Sequence, residues 1–235
     1  MSEDISHILD SWKYDPDNAI RIIKADDERE VMQVRQPLGI EQYELDGRPD
    51  GKRPFGKETF LDEMLQRRDN FFNTHPETAE YRFGKEELQL LQNEGVLFYY
   101  RYLNLFQISD YKRVTKDTEH NLKLCDFVEK HSEDQVEARN ILQYRPYIIR
   151  VNAISHAMIS LNSDLKSIAQ QVLEDAIRRI KELSDVDTPT YQFEKIRSLN
   201  YLRVALKQVL EKKIDPVTKL KKELDEAVEA RSEER

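Results

Sequence analysis

Residues Glu86 to Val128 read EELQLLQNEGVLFYYRYLNLFQISDYKRVTKDTEHNLKLCDFV, and the spacing of their apolar side chains decides the fold. Leu88, Leu91, Val96, Phe98, Tyr99, Tyr102, Leu105 and Phe106 recur at helical intervals. Gln107-Ile108-Ser109-Asp110 interrupts them, and Tyr111, Val114, Thr118, Leu122, Cys125 and Val128 then step by three and four. Apolar stripes on two successive helices separated by so short a break predict a helical hairpin whose stripes face each other.

The same unit recurs downstream. Ile141, Ile148, Val151, Ile154 and Met158 form one stripe, Asn162-Ser163 breaks it, and Leu165, Ile168, Val172, Leu173, Ala176 and Ile180 form the next. Ser109-Asp110-Tyr111-Lys112 and Ser163-Asp164-Leu165-Lys166 align at the two breaks, 54 residues apart, each as a helix cap. A third pair follows: Phe193, Ile196, Leu199, Leu202, Leu206 and Leu210 give one stripe. Asp215-Pro216 then places an N-cap before a first-turn proline, ahead of Val217, Leu220, Leu224, Ala227 and Val228. Three stacked hairpins bury a continuous core.

Glycine is confined to the first part of the chain, with Gly39, Gly47, Gly51 and Gly56 close together and none after Gly95. Val31 to Arg35 and Ile40 to Leu45 alternate around Pro37-Leu38-Gly39, which predicts a two-stranded antiparallel hairpin. Asp46 to Pro54 is too rich in glycine and proline for regular structure and reads as a shaped loop. Helix resumes over Thr59 to Asn73, breaks near His75-Pro76 and resumes after Gly84. The expected organisation is a β-hairpin and loop module over 1–58, an α-hairpin array over 59–212 and a C-terminal amphipathic helix over 213–235. The fold class is mostly α.

Composition sets outer bounds. Hydrophobic residues at 39% and charged residues at 35% fit a folded chain with wide solvated faces. The net charge of −8 argues against general affinity for a phosphate backbone. A single cysteine, Cys125, forms no intrachain disulfide and suits a reducing, cytoplasmic setting. No run of about 18 apolar residues exists to cross a membrane, and Met1 to Trp12 lacks the pattern of a signal peptide.

Candidate chemistry is sparse. Asp117 and His120 share a helical face, as in di-iron bundles, but His156 has Ala153 at the matching position, so this pair reads as a solvated polar face. Cys125 falls on an apolar stripe and reads as an inert core thiol. No nucleophile elbow, phosphate-binding glycine loop or Cys-x-x-Cys pair is present, so no catalytic residue, metal or cofactor is called for. Arg48 and Arg53 project from the shaped loop, where they either recognise a carboxylate or phosphate or tie the loop down in salt bridges. Phe98-Tyr99-Tyr100-Arg101-Tyr102 and Tyr144-Arg145-Pro146-Tyr147 hold more aromatics than one core stripe accepts, so Tyr99 and Tyr102 are candidates for lining a groove as well as for the core. Between Arg197 and Lys222 eight basic residues stand against two acidic ones. Lys212, Lys213, Lys221 and Lys222 mark the segment that would serve a nucleic acid in the alternative reading.

The two aromatic-rich hairpins resemble tetratricopeptide-type hairpins. Pro216-Val217-Thr218-Lys219-Leu220-Lys221-Lys222-Glu223-Leu224-Asp225-Glu226-Ala227-Val228-Glu229 resembles the first helix of the UvrB/UvrC (UVR) motif, with two leucines four apart before an Ala-Val pair. That motif is a helical hairpin that mediates association between proteins. The resemblance covers 14 residues, brings no enzymatic residues, and implies Leu220, Leu224 and Val228 as an association surface. Taken together, these features predict a non-enzymatic interaction or scaffold protein that binds another protein or a second copy of itself.

Overall fold

The computed structural model describes residues 4–76 and 78–211. The predicted C-terminal helix over 213–235 lies outside the described residues, and with it Leu220, Leu224, Val228, Lys212, Lys213, Lys221 and Lys222. The chain divides into two compact units, Met1–Gln66 and Arg67–Arg235.

In the first unit, a short helix α1 (Ser6–Ser11) precedes a meander of β1 (Ile20–Lys24), β2 (Glu30–Gln36) and β3 (Gly39–Glu44), paired antiparallel in that order. The predicted hairpin is present as β2 and β3, with Gln36 opposite Gly39 across a two-residue turn. The expectation of two strands falls short by one, because β1 also pairs with β2 from Ile20↔Val34 to Lys24↔Glu30. The turn between them bears no glycine. Glu28 supplies the left-handed conformation instead (φ 68°), and Ala25 N–H donates to the Arg29 carbonyl at 2.9 Å. As the central strand, β2 is covered on both faces, burying Met32 and Val34 on one and Val31 and Arg35 on the other. The Arg35 guanidinium is satisfied by backbone carbonyls, including Trp12 at 2.8 Å and Gly39 at 3.1 Å.

Helix α2 (Phe60–Thr74) begins on a reciprocal cap. The Asp62 N–H donates to Thr59 Oγ1, and the Thr59 N–H donates to Asp62 Oδ2, both at 3.1 Å. The division between the two units falls within this helix.

The second unit holds α3 (Lys85–Gln107), α4 (Tyr111–His131), α5 (Gln135–Leu142), α6 (Arg145–Leu161), α7 (Lys166–Glu182) and α8 (Pro189–Leu210). Helices α3 and α4 form the first stacked antiparallel hairpin, and α6 and α7 form the second. Helix α4 packs on α6, with Arg145 beside Glu129 and Asn152 beside Thr118, so these two also run antiparallel. Helix α8 packs on both α6 and α7. The open end of the first hairpin is closed by backbone: Phe83 N–H donates to the His131 carbonyl and Glu133 N–H to the Phe83 carbonyl, each at 3.0 Å.

Both interhelical breaks are left-handed helix stops of the same kind. After α3, Ser109 takes φ 63°, with Asp110 N–H donating to Leu105 O and Ser109 N–H to Phe106 O. After α6, Asp164 takes φ 58°, with Leu165 N–H donating to Ser160 O and Asp164 N–H to Leu161 O. This paired bonding terminates a helix by satisfying its last carbonyls. The structure therefore aligns Ser109 with Asp164, one residue off the sequence alignment of the two serines. Asp110 caps α4 by accepting from the Arg113 N–H, whereas α7 has no side-chain cap.

Two further expectations change. The stripe drawn from Ile141 to Met158 is not one helix: α5 ends at Leu142, and α6 begins at Arg145 with Pro146 in its first turn. The stripe assigned to α8 is also rotated. Tyr191, Ser198, Tyr201, Leu202, Ala205 and Val209 are buried, while Phe193, Ile196 and Leu210 face outward. Tyr201 turns inward because Arg150 of α6, itself 2% exposed, lies over its ring at 5.2 Å and over Tyr147 at 5.0 Å.

Candidate functional site: a tyrosine-lined cleft

A cleft lies among α3, α4, α5 and α6. Its lining includes Leu91, Gly95 and Val96 from α3, Leu124 and Cys125 from α4, and Ile141 from α5, and it encloses about 120 Å³. Four tyrosines complete it: Tyr99 and Tyr102 from α3, Tyr144 from the turn after α5, and Tyr147 from α6. Tyr99 stands edge-on to Tyr102 with centroids 5.5 Å apart and edge-on to Tyr147 at 6.1 Å. Such contacts fix ring orientation through the ring quadrupoles. Tyr102 is 1% exposed, and burial pushes its hydroxyl well above the usual phenol range, so it stays neutral.

The two aromatic runs in the sequence thus converge on one concavity. Tyr99 and Tyr102 both lie on its wall, and Tyr102 is also core, which joins the two uses open to it from sequence. Gly95 and Asn121 were missed. A side chain at Gly95 would enter the space between Leu124 Cδ1 at 3.6 Å and Asn121 Oδ1 at 3.7 Å, so the missing Cβ widens the cleft. Asn121 Nδ2 donates to the Gly95 carbonyl at 2.9 Å, while its buried Oδ1 has no hydrogen-bond partner among the described residues. A lone glycine in an otherwise unbroken helical pattern was the available signal.

Behind this wall lies a buried charged cluster. Arg101 donates to both oxygens of Asp117, from Nε at 2.8 Å and from Nη2 at 2.6 Å. His120 Nε2 lies 3.4 Å from Glu94 Oε1, and its ring stacks on Phe98 at 3.8 Å. The expectation that Asp117 and His120 form a solvated face is overturned: Asp117 is 3% exposed, because α3 presents Arg101 directly opposite it. Burial raises the Asp117 carboxyl above its ordinary value, against the opposing pull of Arg101. Among the described residues no group of three His, Cys, Asp or Glu side chains is placed to hold a metal ion. Cys125 is fully buried, and desolvation pushes its thiol up to about 12.

The first unit carries a second, polar concavity of about 220 Å³, lined by residues that include Arg29, Glu44, Asp46, Arg48, Lys52 and Arg53. Arg48 is held by Asp50 at 2.9 Å, and Asp50 also accepts from the Lys52 N–H at 3.2 Å. Gly51 is left-handed (φ 69°) and close to Glu44, where a Cβ would meet Cγ at 3.2 Å. The Glu44 N–H donates to the Pro49 carbonyl at 2.9 Å, which ties the loop to β3, and Arg53 is exposed. Arg48 and Arg53 share this concavity, and Tyr99 and Tyr102 share the cleft of the other unit.

No helix among the described residues is long and apolar enough to cross a membrane. Compared with protein-family models, with curated proteins and with solved structures, the chain matches none of them.

Proposed function

We propose that this chain is a non-enzymatic interaction or scaffold protein, and that the tyrosine-lined cleft of its α-hairpin array receives one large apolar side chain from a partner protein. The observation that carries this reading is the cleft itself: aliphatic side chains and four tyrosines line it, with Gln92, Asn121 and Asn140 among them, and its volume is about 120 Å³. Deep pockets walled by rigid aromatics are where single anchor residues concentrate binding energy. An aromatic anchor fits best, since Tyr99 and Tyr147 offer ring edges and faces to it. Use of the groove between stacked hairpins parallels the tetratricopeptide-like reading of the sequence. The buried reduced thiol of Cys125 suits a cytoplasmic partner.

Peptide display on the immobilised full chain tests the proposal. Selected peptides should share one aromatic or large aliphatic residue, and Gly95→Leu, which fills the cleft, should weaken their binding at least tenfold while the circular dichroism spectrum stays unchanged. Selection of no common anchor, or binding indifferent to both Gly95→Leu and Tyr99→Ala, would sink it.

A further inference from the structure

The cleft holds one polar atom that its own walls leave unpaired. Of the three side-chain amides that line it, Asn140 is exposed to water and Gln92 is half-buried, whereas Asn121 of α4 is only 5% exposed. Asn121 Nδ2 donates to the Gly95 carbonyl of α3 at 2.9 Å, and this bond fixes the orientation of the amide, because the flipped group would set two acceptors against each other. Oδ1 is therefore the remaining acceptor, and among the described residues no donor meets it. A buried acceptor without a donor is a standing cost that native proteins rarely carry.

The space beside this atom is open because residue 95 is glycine. An atom in the position of a Cβ there would lie 3.7 Å from Asn121 Oδ1 and 3.6 Å from Leu124 Cδ1. A group entering the cleft over Gly95 thus comes within about 1 Å of hydrogen-bonding distance from Oδ1.

We propose that the partner's anchor residue is a tryptophan whose indole N–H donates to Asn121 Oδ1. This rests on the reading of the cleft as the seat of one large apolar side chain, and it names which one. The aliphatic wall of Leu91, Leu124 and Ile148 and the ring of Tyr99 suit any aromatic group, so the acceptor is what discriminates. Phenylalanine would leave Oδ1 buried and unpaired. Tyrosine would supply a donor, but its hydroxyl also brings lone pairs that need one, and Asn121 Nδ2 is already engaged by Gly95. Indole is a donor only, so it pairs the acceptor without adding another. A site with a buried hydrogen-bonding group rejects a ligand lacking the complement more sharply than one differing only in apolar size.

Two small probes on the full chain test this. Indole is compared with benzofuran, which keeps the fused-ring shape and puts an oxygen acceptor where indole has its N–H. Binding is read by nuclear magnetic resonance from the backbone amide of Gly95 and the side-chain amide of Asn121. Indole should bind at least about tenfold more tightly, although benzofuran is the more apolar of the two, and Asn121→Leu should abolish that preference. Should Asn121→Leu fail to fold, the comparison on the wild-type chain decides alone. Equal binding of the two probes, both weakened by Gly95→Leu, overturns the tryptophan assignment and leaves the apolar cleft standing. A preference that persists in Asn121→Leu also overturns it, because the acceptor then lies elsewhere. If neither probe shifts the Gly95 signal up to its solubility limit, the cleft reading falls and the tryptophan assignment with it.

Discussion

Arg101 of α3 holds Asp117 of α4 through both carboxylate oxygens, and each residue is 3% exposed. A pair this deep locks the register of the first hairpin, because each charge left alone would be stranded in the core. Arg101→Leu should therefore destabilise the protein by about 3–5 kcal/mol, whereas Arg101→Leu/Asp117→Leu should recover most of that loss. Urea denaturation of the single and double variants gives the comparison, and equal midpoints for the two would show that the pair is not coupled.

The hairpins were legible because apolar residues step by three and four on both sides of short polar breaks, and burial follows that pattern through Val114, Leu122, Leu173 and Ile180. The buried pair was not. Periodicity marks Asp117 and Arg101 only as polar, and which polar side chain meets a countercharge depends on how α3 and α4 are rotated against each other. Strand β1 escaped notice because Ala25 to Arg29 makes its turn with Glu28 rather than glycine. On α8 the six apolar residues chosen from sequence span more than one face, and the aromatic Tyr191 and Tyr201, with Ser198 and Ala205, decide which side turns in. The cleft was half legible: the tyrosine surplus was visible, but its convergence depends on α5, which sequence periodicity merged with α6.

The left-handed stop at Asp164 yields a prediction of opposite sign. An L-residue at φ 58° carries a steric penalty that glycine escapes, and among the described residues no side-chain hydrogen bond holds Asp164 there. Asp164→Gly should raise stability by about 1 kcal/mol, partly offset by the greater chain entropy of glycine. A chemical-denaturation midpoint shifted downward instead would mean that the aspartate has a stabilising role of its own.

His131, at the end of α4, gives the chain a pH dependence. Its Nδ1 lies 3.1 Å from the Tyr81 carbonyl and its ring packs against Tyr81 and Phe127. Burial lowers its pKa from 6.5, outweighing the opposing Tyr81 bond. A depressed native pKa means the unfolded chain binds the proton more readily. This contribution is thus fully present above pH 6.5 and is lost as pH falls through the lowered native value. His131→Asn, which keeps a donor for Tyr81, should flatten that part of the stability profile relative to wild type. Parallel profiles between pH 7.5 and 5 would assign the acid sensitivity to other groups.

Cys125 reports on the integrity of the cleft wall. Although it borders the cavity, the residue is fully buried, and its thiol is pushed up to about 12 by desolvation. At pH 8 about one molecule in ten thousand would carry the thiolate, the only form that attacks a disulfide reagent. Labelling by an aromatic disulfide should therefore proceed only through opening of the helices and should accelerate with urea in step with unfolding. Tyr102→Ala, which removes a large neighbour from the same wall, should expose the sulfur and speed labelling without urea by at least tenfold. A native rate already close to that of a small-molecule thiol would contradict the burial on which both the inert thiol and the closed cleft base depend.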